Sequence, residues 1–304
     1  MPNLKDIKSR INSVQNTKKI TKAMKMVAAA KVKKAEYTVK AARPFSDELL
    51  HLFRKMLATV NENTSYGLKI ERALDNYAEL IKPREVKAEG LLVMTSNKGL
   101  AGAYNANVIK AAFKRIKENK ENGIKTYIYP VGQKAVSAFK NKQSDDFVLK
   151  KGYLAIANDP TATGAGLIAE DLATDFVNGE LDSIDIITTH FNNMMSYNVV
   201  AWEILPVKVE KGDSHDVDPL MVFEPSPHAI LQQLVPMYIT NSIYQALLEA
   251  NASELASRMT AMSAASNNAE EMINTLTVDY NKVRQSAITN ELVEIVSGAN
   301  SVNN

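Results

Sequence analysis

Apolar positions near the end of the chain fall into one sustained rhythm. Leu255, Met259, Met262, Ser266, Ala269, Ile273, Leu276, Tyr280, Val283 and Ala287 follow one another at alternating steps of four and three, with Ser266 and Tyr280 as tolerant members. Alternation of this kind over about four heptads is the sequence form of a coiled-coil seam. After Ala287 the phase slips by one residue, and Ile288, Leu292 and Ile295 form a new stripe. A slip rotates the apolar face relative to a partner helix, so the last turns are expected to leave the pair. At the other end Leu4, Ile7, Ile11 and Val14 keep the same rhythm. Thr17, Lys18 and Lys19 interrupt it; Ile20, Met24 and Val27 are expected to resume it on a shifted face. Ala28, Val32, Ala35 and Val39 then carry the helix to Pro44. A C-terminal helix from His228 to Gly298 would be on the order of 100 Å long, more than a small domain can cover. Pro236 predicts a kink or break, with the unbroken helix starting near Met237, because an internal proline costs about 3 kcal/mol.

Between Glu89 and Val209 the period changes. Leu91–Thr95 and Ile184–Thr189 are short β-branched apolar runs, and Thr126–Val131 and Val199–Ile204 read similarly. Helical patterns lie between them at Asn105–Asn119, Gly132–Lys140 and Thr163–Val177. Strands alternating with helices predict an open, mainly parallel, Rossmann-like α/β sheet. Lys55–Lys87 reads as part helix and part loop. The fold class expected is α/β: a long antiparallel coiled coil of N- and C-terminal helices plus a central open sheet. The expected divisions are an N-terminal coiled-coil helix (1–60), a connecting segment (61–88), the α/β domain (89–210), a linker (211–227) and a C-terminal coiled-coil helix (228–304).

Charge sharpens this picture. Residues 1–40 hold eleven basic side chains against two acids, and residues 231–304 hold three against seven, so the ends carry +9 and −4 although the whole chain is only +2. Opposite signs on two long helices favour their pairing. The basic helix lacks interleaved aromatics before Tyr37, so its face reads as solvated or partner-facing rather than nucleic-acid binding. The chain has no cysteine, which excludes disulfides, thiolate catalysis and Cys-based zinc sites. The first twenty-five residues lack the apolar core of a signal peptide. Polar residues interrupt the Lys- and Arg-free stretch between Lys211 and Arg258, so no membrane insertion is expected.

Candidate chemistry is sparse. Gly99-Leu100-Ala101-Gly102 sits after a strand and before a helix, where phosphate loops sit. It has neither GxGxxG nor GxxxxGK[S/T] spacing, and Thr163-Gly164-Ala165-Gly166 fails likewise. A tight turn that packs helix on strand is the better reading. His51, His190, His215 and His228 are scattered, and Asp213, His215, Asp216 and Asp218 lack the glycine and terminal glutamate of a calcium loop. No catalytic residue, cofactor or metal site is expected. The residue pattern alone leaves open a helical hairpin that staples the domain, a free-standing coiled-coil adaptor, and a nucleotide-dependent enzyme with a helical arm.

The segment Ile11-Asn12-Ser13-Val14-Gln15-Asn16-Thr17-Lys18-Lys19-Ile20-Thr21-Lys22-Ala23-Met24-Lys25-Met26-Val27-Ala28-Ala29 resembles the N-terminal signature of F-type ATP synthase gamma subunits. The run from Tyr280 to Ala299 (YNKVRQSAITNELVEIVSGA) resembles their C-terminal signature. Gly99–Gly102 is similar to a GLCG-type turn with alanine for cysteine, and Phe223-Glu224-Pro225 to an aromatic-Glu-Pro step before the last helix. These matches span the chain in order. The resemblance implies a rotor shaft inside a ring of catalytic beta and non-catalytic alpha subunits. Its insert would lie beside the epsilon subunit and the membrane c-ring, on the cytoplasmic face of the cell membrane. It further implies that Met24, Arg284, Gln285, Thr289 and Glu291 contact the catalytic subunits. Phe223 and Glu224 would lie at the foot, against epsilon or the rotor ring. Ile288, Leu292, Val293, Ile295 and Val296 form an apolar tip suited to a bearing, where strong directional bonds would trap one angle. The paired cysteines of redox-regulated plastid members are missing, which excludes thiol control.

Overall fold

A computed structural model of the chain describes residues 3–59, 76–142, 145–207, 224 and 227–302. The elements run α1 (Leu4–Thr59), α2 (Tyr77–Leu80), β1 (Ala88–Met94), α3 (Tyr104–Glu121), β2 (Lys125–Val131), α4 (Gln133–Asn141), β3 (Phe147–Leu149), α5 (Ala162–Val177), β4 (Ser183–Asn193), β5 (Ser196–Leu205) and α6 (Pro227–Val302). They divide into two compact units: residues 1–29 with 258–304, and residues 30–257.

The first unit pairs the start of α1 with the end of α6. On α6 the burial follows the predicted seam: each member from Met259 to Ala287 is buried or half-buried, and Met262, Ser266 and Ala269 are the most enclosed. Every residue from Ile288 to Ser297 is exposed, consistent with the phase slip. On α1 the expected shift of face does not occur. Ile20 and Val27 are 60% and 58% exposed, while the covered positions continue in phase from Val14 through Lys18, Thr21, Lys25 and Ala28. Polar residues can occupy this seam because each has its polar atom satisfied or led outward. The Thr21 hydroxyl donates to the carbonyls of Thr17 and Lys18 (3.0 and 3.1 Å), leaving its methyl to pack. Lys18 covers the seam with its stem and places Nζ 3.0 Å from the Glu270 carboxylate.

The second unit is built on a five-stranded sheet of order β3-β2-β1-β4-β5, parallel except for the antiparallel β4–β5 pair. Alternation on β1 sends Leu91 and Val93 to one face and Leu92 and Met94 to the other. The first pair packs with Val108, Ala112 and Ile116 of α3 and Ala135 and Phe139 of α4. The second packs with Ile168, Leu172 and Phe176 of α5, with Leu49 and Phe53 of α1, and with Leu231 to Ala250 of α6. β3 is absent from the sequence reading; three residues at a sheet edge carry too little periodicity to register.

The break expected at Pro236, with the unbroken helix starting near Met237, is not found. α1 runs through Pro44 to Thr59, and α6 runs through Pro236 without a break. The cause is burial on either side of each proline. Val39, Leu49 and Phe53 are buried around Pro44; Leu231, Leu234, Val235, Ile239 and Ile243 are buried around Pro236. Each such side chain is worth roughly 1.5–3 kcal/mol, so two or three outweigh the penalty of about 3 kcal/mol for an internal proline. Here α1 and α6 run antiparallel: Arg43 meets Glu249, Ser46 meets Asn241, and the Phe53 ring stacks on Tyr238 at 5.3 Å.

Candidate functional site

In open α/β sheets ligands bind at the carboxyl ends of the strands where the strand order reverses. Here that place lies between β1 and β4, since α3 and α4 cover one face and α5 the other. It is filled from within the chain. Leu247, Ala250, Asn251 and Glu254 of α6 lie over Thr95, Ser96 and Tyr104, leaving a cavity of about 20 Å³, room for about one water molecule. Burial and the nearby Glu254 carboxylate push the Tyr104 hydroxyl pKa well above its ordinary value.

The glycine loop serves this closure. Leu100 and Gly102 take positive φ (64° and 52°), which turns the buried Ala101 carbonyl toward two donors, the Ser257 hydroxyl of α6 (2.6 Å) and the Tyr104 amide (3.1 Å). The N-termini of α4 and α5 are capped by protein groups, whereas α3, directly after the glycine loop, has no side-chain cap. At α4 the Gln133 amide donates to Asn97 Oδ1 (2.7 Å), the Lys134 amide to the Ser96 carbonyl (3.1 Å) and the Ala135 amide to Thr95 Oγ1 (2.8 Å). At α5 the Gly164 amide donates to Thr161 Oγ1 (3.1 Å). These α4 and α5 amides are therefore already bonded within the chain rather than open to a phosphate. The loop is a turn that packs helix on strand.

A charged cluster lies at the opposite end of the strands. Arg115 of α3 binds Glu89 through Nε and Nη2 and reaches Asp185 Oδ2 at 3.1 Å. Asn119 bridges Glu89 and Thr126. Burial first, then the Glu89 charge, pushes the Asp185 carboxyl up to about 6, with Arg115 partly opposing. Glu89 and Asp185 share one guanidinium, and the arrangement ties α3 to β1 and β4.

The residues expected from sequence to meet partners lie on helical surface. Arg284, Gln285, Thr289 and Glu291 are exposed on α6, the Thr289 hydroxyl donating to the Gln285 carbonyl (2.9 Å), and Met24 is half-buried on α1. Ile288, Leu292, Val293, Ile295 and Val296 are 49–67% exposed. Glu224 is exposed. Phe223, the Asp213–Asp218 cluster and His215 lie outside the described residues. Among the described residues no group of acids and histidines is spaced to hold a metal, and no helix is long and apolar enough to cross a membrane.

Sequence reasoning missed one constellation. Glu249 of α6, almost fully buried, accepts bonds from Arg43 of α1, the Phe191 amide of β4 and Gln245. A lone acid inside the otherwise apolar run Ala246–Ala250, in a stretch without Lys or Arg, signals a distant basic partner.

The fold and site define a class: a coiled-coil protein carrying an open α/β insert whose ligand crevice is sealed by its own helix. The family model described as ATP synthase matches residues 3–302. The ATP synthase gamma chain of Picosynechococcus sp. is 41% identical, over 99% of this chain and all of the relative. A chain of the Tetrahymena thermophila mitochondrial ATP synthase, from a structure of central stalk and c-ring, is 30% identical with a TM-score of 0.59, covering 81% of this chain and 99% of that one. A chain of the Euglena gracilis mitochondrial ATP synthase has the same fold, with a TM-score of 0.66 at 18% identity over 98% and 94% of the two chains. The chain belongs to the F-type ATP synthase gamma subunit family, the central-stalk rotor of a membrane-associated complex.

Proposed function

We propose that the chain is the non-catalytic shaft of its complex, turned by ion flow at a c-ring and driving ATP synthesis, or turned in reverse by hydrolysis. The observation that carries this reading is the exposed apolar end of α6, Ile288 to Val296. A row of large apolar side chains left in solvent marks an interaction surface, and one without fixed hydrogen bonds can slide inside a ring of subunits. The paired ends of α1 and α6 supply the rod. Arg284, Gln285, Thr289, Glu291 and Met24 touch the catalytic beta subunits, with alpha subunits completing the ring. Phe223 and Glu224 meet epsilon or the c-ring at the foot. Association with the cytoplasmic face of the membrane is peripheral, through that ring.

A rod that is not symmetric about its axis offers different contacts to chemically identical sites. A contact shifts a site between open and closed states only by its differential affinity for the two. About 5.5 kcal/mol of difference moves a site from almost wholly one state to almost wholly the other. Rotation changes which site receives that bias.

The test is reconstitution with the matching alpha and beta subunits, scoring ATPase activity with and without this chain. Stable assembly with multi-site turnover, and none from the chain alone, supports the shaft. Hydrolysis by the isolated chain, or failure to join the ring, would return the question to an enzyme or an adaptor.

A further inference from the structure

The buried knot around Glu249 joins three elements that a rotor must turn together. β1 pairs with β4 only as far as Ile187, so the last residues of β4 run on with β5 alone as a projecting hairpin. Phe191 lies in that projection, and both of its main-chain groups are held by side chains from the long helices. Its amide donates to Glu249 Oε2 of α6 (2.7 Å), and its carbonyl accepts from Arg43 Nη2 of α1 (2.7 Å). Arg43 and Glu249 bind each other through two further bonds, Nε to Oε1 (3.0 Å) and Nη2 to Oε2 (3.1 Å). One ion pair thus presents an acceptor and a donor to one residue, as a neighbouring strand would. Gln245 Nε2 steadies the carboxylate from one turn earlier (3.0 Å), and His190 Nδ1 lies 3.0 Å from Oε2.

Apolar contacts between the hairpin and the helices are non-directional and permit sliding. Charge-assisted, bidentate bonds fix distance and angle together. We propose that Glu249, held by Arg43, is a positioning residue that locks the β4–β5 hairpin to both long helices, so that torque entering the insert reaches α1 and α6 without angular slip. This goes beyond the general rotor assignment: it names the joint that ties the β4–β5 hairpin to α1 and α6 within the second unit.

The experiment uses the assembled complex with a probe on the insert, comparing wild type, Glu249→Gln, Glu249→Asp and Arg43→Lys. Glu249→Gln keeps the volume and removes the charge. It should broaden the angular variance of the probe during each dwell at least about twofold, because the bidentate bonds and the Phe191 bond weaken together. Hydrolysis by the ring of alpha and beta subunits with this chain, detached from the c-ring, should stay at the wild-type rate, since it does not draw torque through the insert. Glu249→Asp, retaining the charge, should recover part of the stiffness. A residue that merely stabilised the fold would lower the unfolding temperature and leave the variance unchanged. Unchanged variance in Glu249→Gln, or equal losses of stiffness and hydrolysis, would overturn the proposal. Should Glu249→Gln fail to assemble, Arg43→Lys decides in its place, since it keeps the charge and loses only the forked geometry: broadened variance supports the joint, and wild-type variance removes it.

Discussion

One substitution, glycine to alanine, should have three different outcomes at three sites of the insert. Gly132 precedes α4 with φ +89°, and a Cβ there would lie 2.3 Å from the Thr95 carbonyl oxygen and 2.8 Å from its carbon. Those are backbone atoms at the carboxyl end of β1, and they cannot move without drawing Thr95 and Ser96 from their hydrogen bonds. A backbone at φ 89° and ψ 148°, a region essentially reserved for glycine, costs alanine about 1–3 kcal/mol, which adds to a clash of the overpacking kind, about 1–3 kcal/mol or more. The expected loss for Gly132→Ala is therefore about 4 kcal/mol, a large share of the 5–15 kcal/mol typical of a domain. Gly123 has φ +71° with nothing near its missing Cβ, so Gly123→Ala should cost only the strain, about 1 kcal/mol. Gly166 lies inside α5, and an added Cβ would meet Thr240 Cγ2 at 3.8 Å, an ordinary contact. Gly166→Ala should stabilise by up to about 1 kcal/mol. The single tryptophan, Trp202 on β5, packs against the insert core, so urea unfolding followed by its fluorescence reads this unit. If Gly132→Ala costs no more than Gly123→Ala, the close approach of Gly132 to the Thr95 backbone at the end of β1 is wrong.

Other outcomes follow from the same geometry. The Asp185 pKa, raised to about 6 from an ordinary 3.8, means that the folded state holds a proton the unfolded chain releases. Stability should therefore fall as pH rises from about 4 to about 6, by on the order of 2–3 kcal/mol, and Asp185→Asn should flatten that slope in urea unfolding; an unaltered slope would place the effect elsewhere. On the coiled coil, Ile20→Gln should change stability by less than about 0.5 kcal/mol, whereas Ala269→Leu should cost about 1–3 kcal/mol by overpacking the seam. Thermal unfolding of the full chain, followed by helical circular dichroism, separates the two, and equal effects would restore the shifted-face reading of α1. In the assembled complex Arg284→Ala combined with Gln285→Ala should lower coupled turnover severalfold, about tenfold for each 1.4 kcal/mol of lost bias, with Trp202 fluorescence unchanged. Unaltered turnover would remove these residues from the catalytic-subunit contact.

Much of the fold was legible because period is a physical signal. The α6 seam, the strands β1, β2, β4 and β5 and the three insert helices follow from spacing, since one buried face forces one repeat. At Ile20 hydrophobicity and phase point to different faces of α1, and burial follows phase. Thr21 and Lys18 hold the seam by back-bonding and by a long apolar stem, which a simple apolar–polar pattern does not credit. At Pro236 the local penalty argues for a break, and tertiary burial on both sides of it outweighs that penalty. The sealing of the sheet crevice was half visible: the glycine spacing argued against a phosphate loop, but the plug comes from Leu247 to Ser257, about 150 residues away in sequence. Arg43 and Glu249 are separated still further, and nothing short of the fold brings them together.

The most direct test of the rotor is to watch it turn. The chain has no cysteine, so Lys114→Cys on α3, whose side chain is 79% exposed, offers a unique attachment point for a probe on the insert. With the catalytic ring fixed to a surface and ATP supplied, the probe should rotate in one direction, in equal steps matching the number of catalytic sites. A probe that stays at one angle while the same complexes hydrolyse ATP would contradict the account.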